Sequence, residues 1–171
     1  PAPLRRTILG VVAAHADAAT WDKLHAMAKA EKTPLVRDQL YTMLSIAQDP
    51  AISQRALDLA LTDEPGETNS ASMISTVAQT HPDLAFDFAV KNAAAVGKRV
   101  DTTSQSRYYP GLASSSLDPA MVGKLQSYAE HHMTPQSRGA ADRAIASIQD
   151  RVRVRQQRLP DITRWFEARR G

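Results

Sequence analysis

Apolar residues recur along this chain at the spacing of one face of an α-helix. Val36, Leu40, Met43, Leu44 and Ala47 fall at i, i+4, i+7, i+8 and i+11, and Ile52, Ala56, Leu59 and Ala60 repeat the stripe. Ile74, Val77 and Ala78 continue it, followed by Ala85, Phe88 and Ala89, then Met121, Leu125 and Ala129, then Ala141, Ile145, Ile148 and Val152. Ile162, Trp165 and Phe166 close the pattern. Upstream, Leu4–Ala14 and Ala18–Ala30 read as two further helices, the second with Trp21, Leu24 and Ala28 on one face. Start signals agree with the period: Thr33-Pro34, Asp49-Pro50, Asp118-Pro119 and Thr134-Pro135 each pair an N-cap residue with proline at the first helical position, and His81-Pro82 does so less well. The expectation is about ten helices and no strand.

Short links between amphipathic helices make antiparallel neighbours. The pair 34–47 and 50–62 has the length of a HEAT- or armadillo-type unit, yet no strict repeat period runs through the chain. The predicted fold class is therefore all-α, an irregular helical-repeat α-solenoid of antiparallel-paired helices, with residues 1–171 as a single α-helical domain. Two polar stretches read as loops, Thr62–Ser70 and Lys98–Arg107, the second long enough to be a mobile segment.

Composition sharpens this only in places. Aromatic residues make up 5% and glycine is scarce, which favours helix over sheet. No run approaches the roughly 18–20 apolar residues of a membrane span. The absence of cysteine excludes disulfides and thiolate metal sites. The chain opens on Pro1 rather than a start Met, so it reads as a piece of a longer polypeptide. The net charge of +3 is unevenly placed: residues 151–171 hold seven arginines against Asp161 and Glu167, a local +5 that leaves the first 150 residues at −2. The basic character is a C-terminal feature and not a field suited to nucleic acid, and the Arg151, Arg153, Arg155 run fans over a wide arc of helix without interleaved aromatics.

Catalytic signatures are missing. The histidines stand at 15, 25, 81, 131 and 132, none with another four residues on, so no HExxH pair exists. His131 and His132 read as the basic end of a helix. No GxSxG, GxxxxGK[ST] or GxGxxG occurs. The one candidate binding cluster is Arg107, Tyr108 and Tyr109, where a guanidinium beside two phenols could hold a peptide carboxylate or backbone; packing of both rings at a helix start is the plainer alternative. Trp165 and Phe166 read as the anchor of the last helix, and Trp21 as a core residue near the start.

Four segments then carry a family resemblance: RDQLYTMLSIAQDPAISQRALDLAL (37–61), LAFDFAVKN (84–92), YYPGLASSSLDPAMVGKLQSYAEHH (108–132) and RAIASIQDRVRVRQQRLPDITRWF (143–166). From Val36 to Phe166 the chain resembles the C-terminal helical domain of M1-family zinc aminopeptidases, the aminopeptidase N class of metalloprotease hydrolases. One departure is Ala93, where that family has a Trp after the Asn of the second segment. The resemblance implies a HEAT-like lid that walls the chamber of a zinc-dependent enzyme removing N-terminal residues from peptides. It also implies that zinc and every catalytic residue lie in a separate catalytic domain of the same polypeptide. This chain would then hold no cofactor of its own and would partner that domain and the peptide substrates, with no nucleic acid and no membrane span. The alternative is a free-standing helical-repeat scaffold for a protein or peptide partner.

Overall fold

The computed structural model describes residues 2–169, apart from the side chains of Ala2, Pro3 and Arg5; Arg170 of the basic tail lies outside the described residues. Eleven α-helices follow one another: α1 (Ala2–Ala14), α2 (Ala18–Ala30), α3 (Pro34–Met43), α4 (Pro50–Ala60), α5 (Glu67–Thr80), α6 (Pro82–Lys91), α7 (Ala93–Arg99), α8 (Thr102–Ala113), α9 (Ala120–His132), α10 (Gly139–Arg153) and α11 (Leu159–Ala168). A 3₁₀ turn, Pro135–Ser137, precedes α10, and a π turn, Val154–Arg158, joins α10 to α11 in one rod. Among the described residues there is no strand. The fold is the expected all-α helical-repeat class.

Neighbour-to-neighbour packing arranges the helices in two layers. One runs α1, α3, α5, α8, α10; the other contains α2, α4, α6 and α9, with the short α7 lying on α5 and α6. The stripes of α2 to α6 and of α8 to α10 face inward between the layers. Tyr41, Leu44, Leu57, Met73, Ile74, Val77, Met121, Leu125 and Ile148 are fully buried, and Ala28, Ala56, Ala60, Ala85, Ala89 and Ala113 let backbones approach closely. Trp21 belongs to this core, as its position predicts: it is buried, and its Nε1 donates to the Leu44 carbonyl at 3.0 Å.

The start signals work through local chemistry. Asp49 accepts from the Ala51 N–H at 2.8 Å and Asp17 from the Thr20 N–H at 2.8 Å, each satisfying a helix-start donor that would otherwise be orphaned. Thr134-Pro135 opens only the 3₁₀ turn, not α10 itself.

Two expectations are corrected. The stretch Lys98–Arg107 is not a mobile loop; α7 runs to Arg99 and α8 begins at Thr102. Asp101 makes this possible by accepting from the Thr103 N–H at 2.9 Å and the Thr103 hydroxyl at 2.5 Å. Gln105 then ties α8 back to α7 by donating to Gly97 O at 2.9 Å and Val100 O at 3.2 Å. Polar composition resembled a loop because the hydroxyl and amide groups satisfy one another across the turn. The second correction concerns Trp165 and Phe166. They do not anchor α11 in the core: they are 50% and 56% exposed, with Leu159 and Ile162 equally open on the same face. The rod carries α11 past the end of the layers, where its principal neighbour is the π turn. Trp165 packs instead on Phe166, at 5.0 Å between ring centroids, and under the Arg169 guanidinium at 3.9 Å.

Candidate functional site

Arg107, Tyr108 and Tyr109 sit in the middle of α8, not at a helix start. Consecutive helical residues point about 100° apart, so the three side chains diverge. Tyr109 enters the core, where its ring stacks on Tyr128 at 5.2 Å and its hydroxyl donates to Ala93 O at 3.4 Å. Tyr108 is half-buried between α5 and α8, donating to Ala71 O at 2.8 Å, and burial pushes its phenol up to about 12. Both therefore remain neutral donors in the physiological range.

Arg107 points outward. It lies on the ridge between two shallow grooves, one of about 400 Å³ shared with Ser75, Ser104 and Tyr108, the other of about 260 Å³ shared with Ser114, Arg143 and Ser147. Their floors are small residues, among them Ala78, Gly111, Ala140 and Ala144, and among the described residues no carboxylate lines either groove. Two guanidiniums above hydroxyl-lined channels supply donors for a carboxylate or a backbone carbonyl. Arg143 escaped the sequence reading because nothing in its spacing announces that α10 lies across from α8.

The TDEPG stretch, marked by its polarity, hides a second polar cluster. Glu64 accepts from His25 Nε2 at 2.5 Å and from the Tyr41 hydroxyl at 2.9 Å, while Lys29 stands 3.4 Å from its other oxygen. Arg99 clamps the same loop from the other side, donating to Leu61 O and Thr62 O beside Asp63. Gly66, at φ 84°, takes the left-handed turn that leads into α5. Burial raises the Glu64 carboxyl, but the hydrogen bonds from His25 and Tyr41 and the charges around it outweigh this, and its pKa falls below the ordinary glutamate value. Burial, then the hydrogen bond to Glu64, lifts Tyr41 to about 12.

A depressed carboxyl binds its proton more weakly in the folded than in the unfolded chain. Its stabilising contribution is complete above the unfolded glutamate range and is lost as pH falls through the folded value. Urea midpoints should therefore separate wild type from Glu64→Gln at pH 7 and draw together as pH falls below the ordinary glutamate range. A gap that does not narrow with acidification contradicts this assignment. The contacts of Glu64 with His25, Tyr41 and Lys29, together with those of Arg99, make the cluster a staple that holds the loop.

Among the described residues no three His, Asp or Glu side chains gather in a way that could hold a metal ion. With this geometry in place, comparison with known families is decisive: residues 1–153 match the ERAP1-like C-terminal domain. The chain belongs to that family. No curated protein matches the sequence. The domain match ends at Arg153, the last residue of α10, so the π turn and the projecting α11 lie beyond it. Arg107 and both of its grooves fall inside the ERAP1-like domain.

Proposed function

We propose that this chain is the lid and chamber wall of a zinc-dependent M1-type aminopeptidase, covering a separate catalytic domain of the same polypeptide and taking part in peptide binding. Membership of the ERAP1-like C-terminal domain family is the observation that carries the reading. The described residues do not supply a zinc site, so the metal and the bond-breaking groups belong to the catalytic domain in this account. The contribution of the lid is geometric: it encloses substrate, limits access and orients the distal part of the peptide.

Arg107 is the principal substrate contact in this proposal, with Tyr108 bordering one of its grooves and Tyr109 fixing α8 from below. A charge-assisted hydrogen bond from Arg107 to the peptide is worth about 1.5–3 kcal/mol, roughly a tenfold effect or more. In the whole enzyme, Arg107→Ala should lower kcat/KM for a peptide of about ten residues some tenfold more than for a single-residue aminoacyl reporter. The reporter ends before it could reach the lid. Equal losses on the two substrates would sink the assignment of Arg107.

A further inference from the structure

A second kind of groove lies away from Arg107, between α6 and α9. It has a volume of about 630 Å³, within the range of small-molecule sites. Its floor is apolar: Phe86 is buried, Val90 and Tyr128 are half-buried, and the Phe86 and Tyr128 rings meet edge to face at 5.9 Å. Tyr128 also stacks with Tyr109 at 5.2 Å and with His132 at 4.9 Å, the second pair with 27° between planes.

The rim has the opposite character. Lys91, Lys124, His131 and His132 line it against a single carboxylate, Asp87. That carboxylate is already engaged across the groove, 2.6 Å from the Lys124 ammonium. Lys91 is exposed and forms no ion pair among those described. His131 Nδ1 lies 2.7 Å from the Ser127 carbonyl, an oxygen that can only accept, so Nδ1 donates and a neutral ring is left with the Nε2 lone pair, an acceptor that offers an oxyanion nothing. An aromatic floor beside the Lys91 ammonium selects against bare inorganic ions, which gain nothing from the floor, and against neutral apolar molecules, which gain nothing from the ammonium.

We propose that the groove between α6 and α9 binds a small oxyanion that carries an apolar body, an aryl or branched-alkyl carboxylate or phosphate. Its body rests on Phe86, Val90 and the edge of Tyr128, and its charge faces the Lys91 ammonium. This site does not depend on the peptidase reading. The M1 proposal places substrate contact at Arg107, and either site stands if the other fails.

Titration calorimetry on the full polypeptide tests it with four probes: phenyl phosphate, benzoate, inorganic phosphate and benzyl alcohol. The aryl anions should bind with Kd of about 1 mM, the affinity that ligands of about ten non-hydrogen atoms reach. Inorganic phosphate and benzyl alcohol should bind at least about tenfold more weakly. Comparison of phenyl phosphate with benzoate tells which oxyanion the rim prefers. Gly123 gives the sharpest variant, because it lines the groove and a Cβ there meets nothing within 4 Å. Gly123→Leu fills the mouth without altering any charge, improves helix propensity, and should weaken phenyl phosphate binding at least about fivefold. Lys91→Glu, an exposed change that leaves the core untouched, should do the same. Any one of three results overturns the site: inorganic phosphate binding as tightly as phenyl phosphate, neither variant altering phenyl phosphate binding, or no aryl anion binding at about 10 mM.

Discussion

Replacing Trp21 with alanine should destabilise the fold by about 3–5 kcal/mol, the range for removing a large aromatic side chain from a core. The same replacement at Trp165 should change stability by no more than about 0.5 kcal/mol, as exposed sites do. The contrast follows from surroundings and not from residue type. Trp21 is 4% exposed, donates to Leu44 O and lies 4.3 Å beneath the Arg55 guanidinium, which Asp22 holds in place. Its removal leaves a cavity between α2 and the α3–α4 connection together with an unpaired carbonyl. Trp165 is half exposed on a helix that projects from the body, so its loss opens no cavity. Urea unfolding of the two variants decides between them, and comparable losses would mean that α11 is packed as tightly as the core.

The second large effect is expected at Arg99, whose side chain is only 11% exposed. It donates to Ala95 O at 3.0 Å and to Leu61 O and Thr62 O, and thereby closes the end of α4 against α7. Arg99→Ala should cost about 2–3 kcal/mol, since it strips partners from carbonyls in a half-buried place. Lysine should restore little, because a single ammonium cannot reproduce the planar fork that reaches three carbonyls at once. Hydrogen exchange provides the readout. Amides of residues 61–66 should lose protection before those of α5 and α8, because the clamp acts on the loop. Uniform loss of protection along the chain, or full rescue by lysine, would contradict a local clamp.

The fold was largely legible because helical periodicity, N-caps and Asp-Pro or Thr-Pro junctions are local signals. Ile52, Ala56, Leu59 and Ala60 illustrate this: four residues chosen from spacing alone are all buried. The readings that failed depend on what lies opposite. Trp165 and Phe166 have the composition and spacing of an anchor, but only tertiary placement says whether a surface faces them. Lys98–Arg107 looked like a loop because its polar groups seemed to need water, whereas Asp101 and Gln105 satisfy their neighbours directly. The candidate site was legible to the same limited extent. Arg107 could be noticed from its neighbours in sequence. Arg143, and the pairing of His25 and Tyr41 with Glu64 across 39 and 23 residues, could not. Spacing therefore identified helix faces, while the chemistry between helices required the fold.

The central claim is that this chain is one part of an M1-type aminopeptidase. It is tested most directly on the native polypeptide that contains LPDITRWFEAR (159–169), purified intact and measured for mass, bound zinc and release of N-terminal residues from peptides. The account predicts a polypeptide several-fold longer than 171 residues that binds zinc and has aminopeptidase activity. A native product of about this length, without zinc or peptidase activity, would contradict it and leave a helical scaffold in search of its partner.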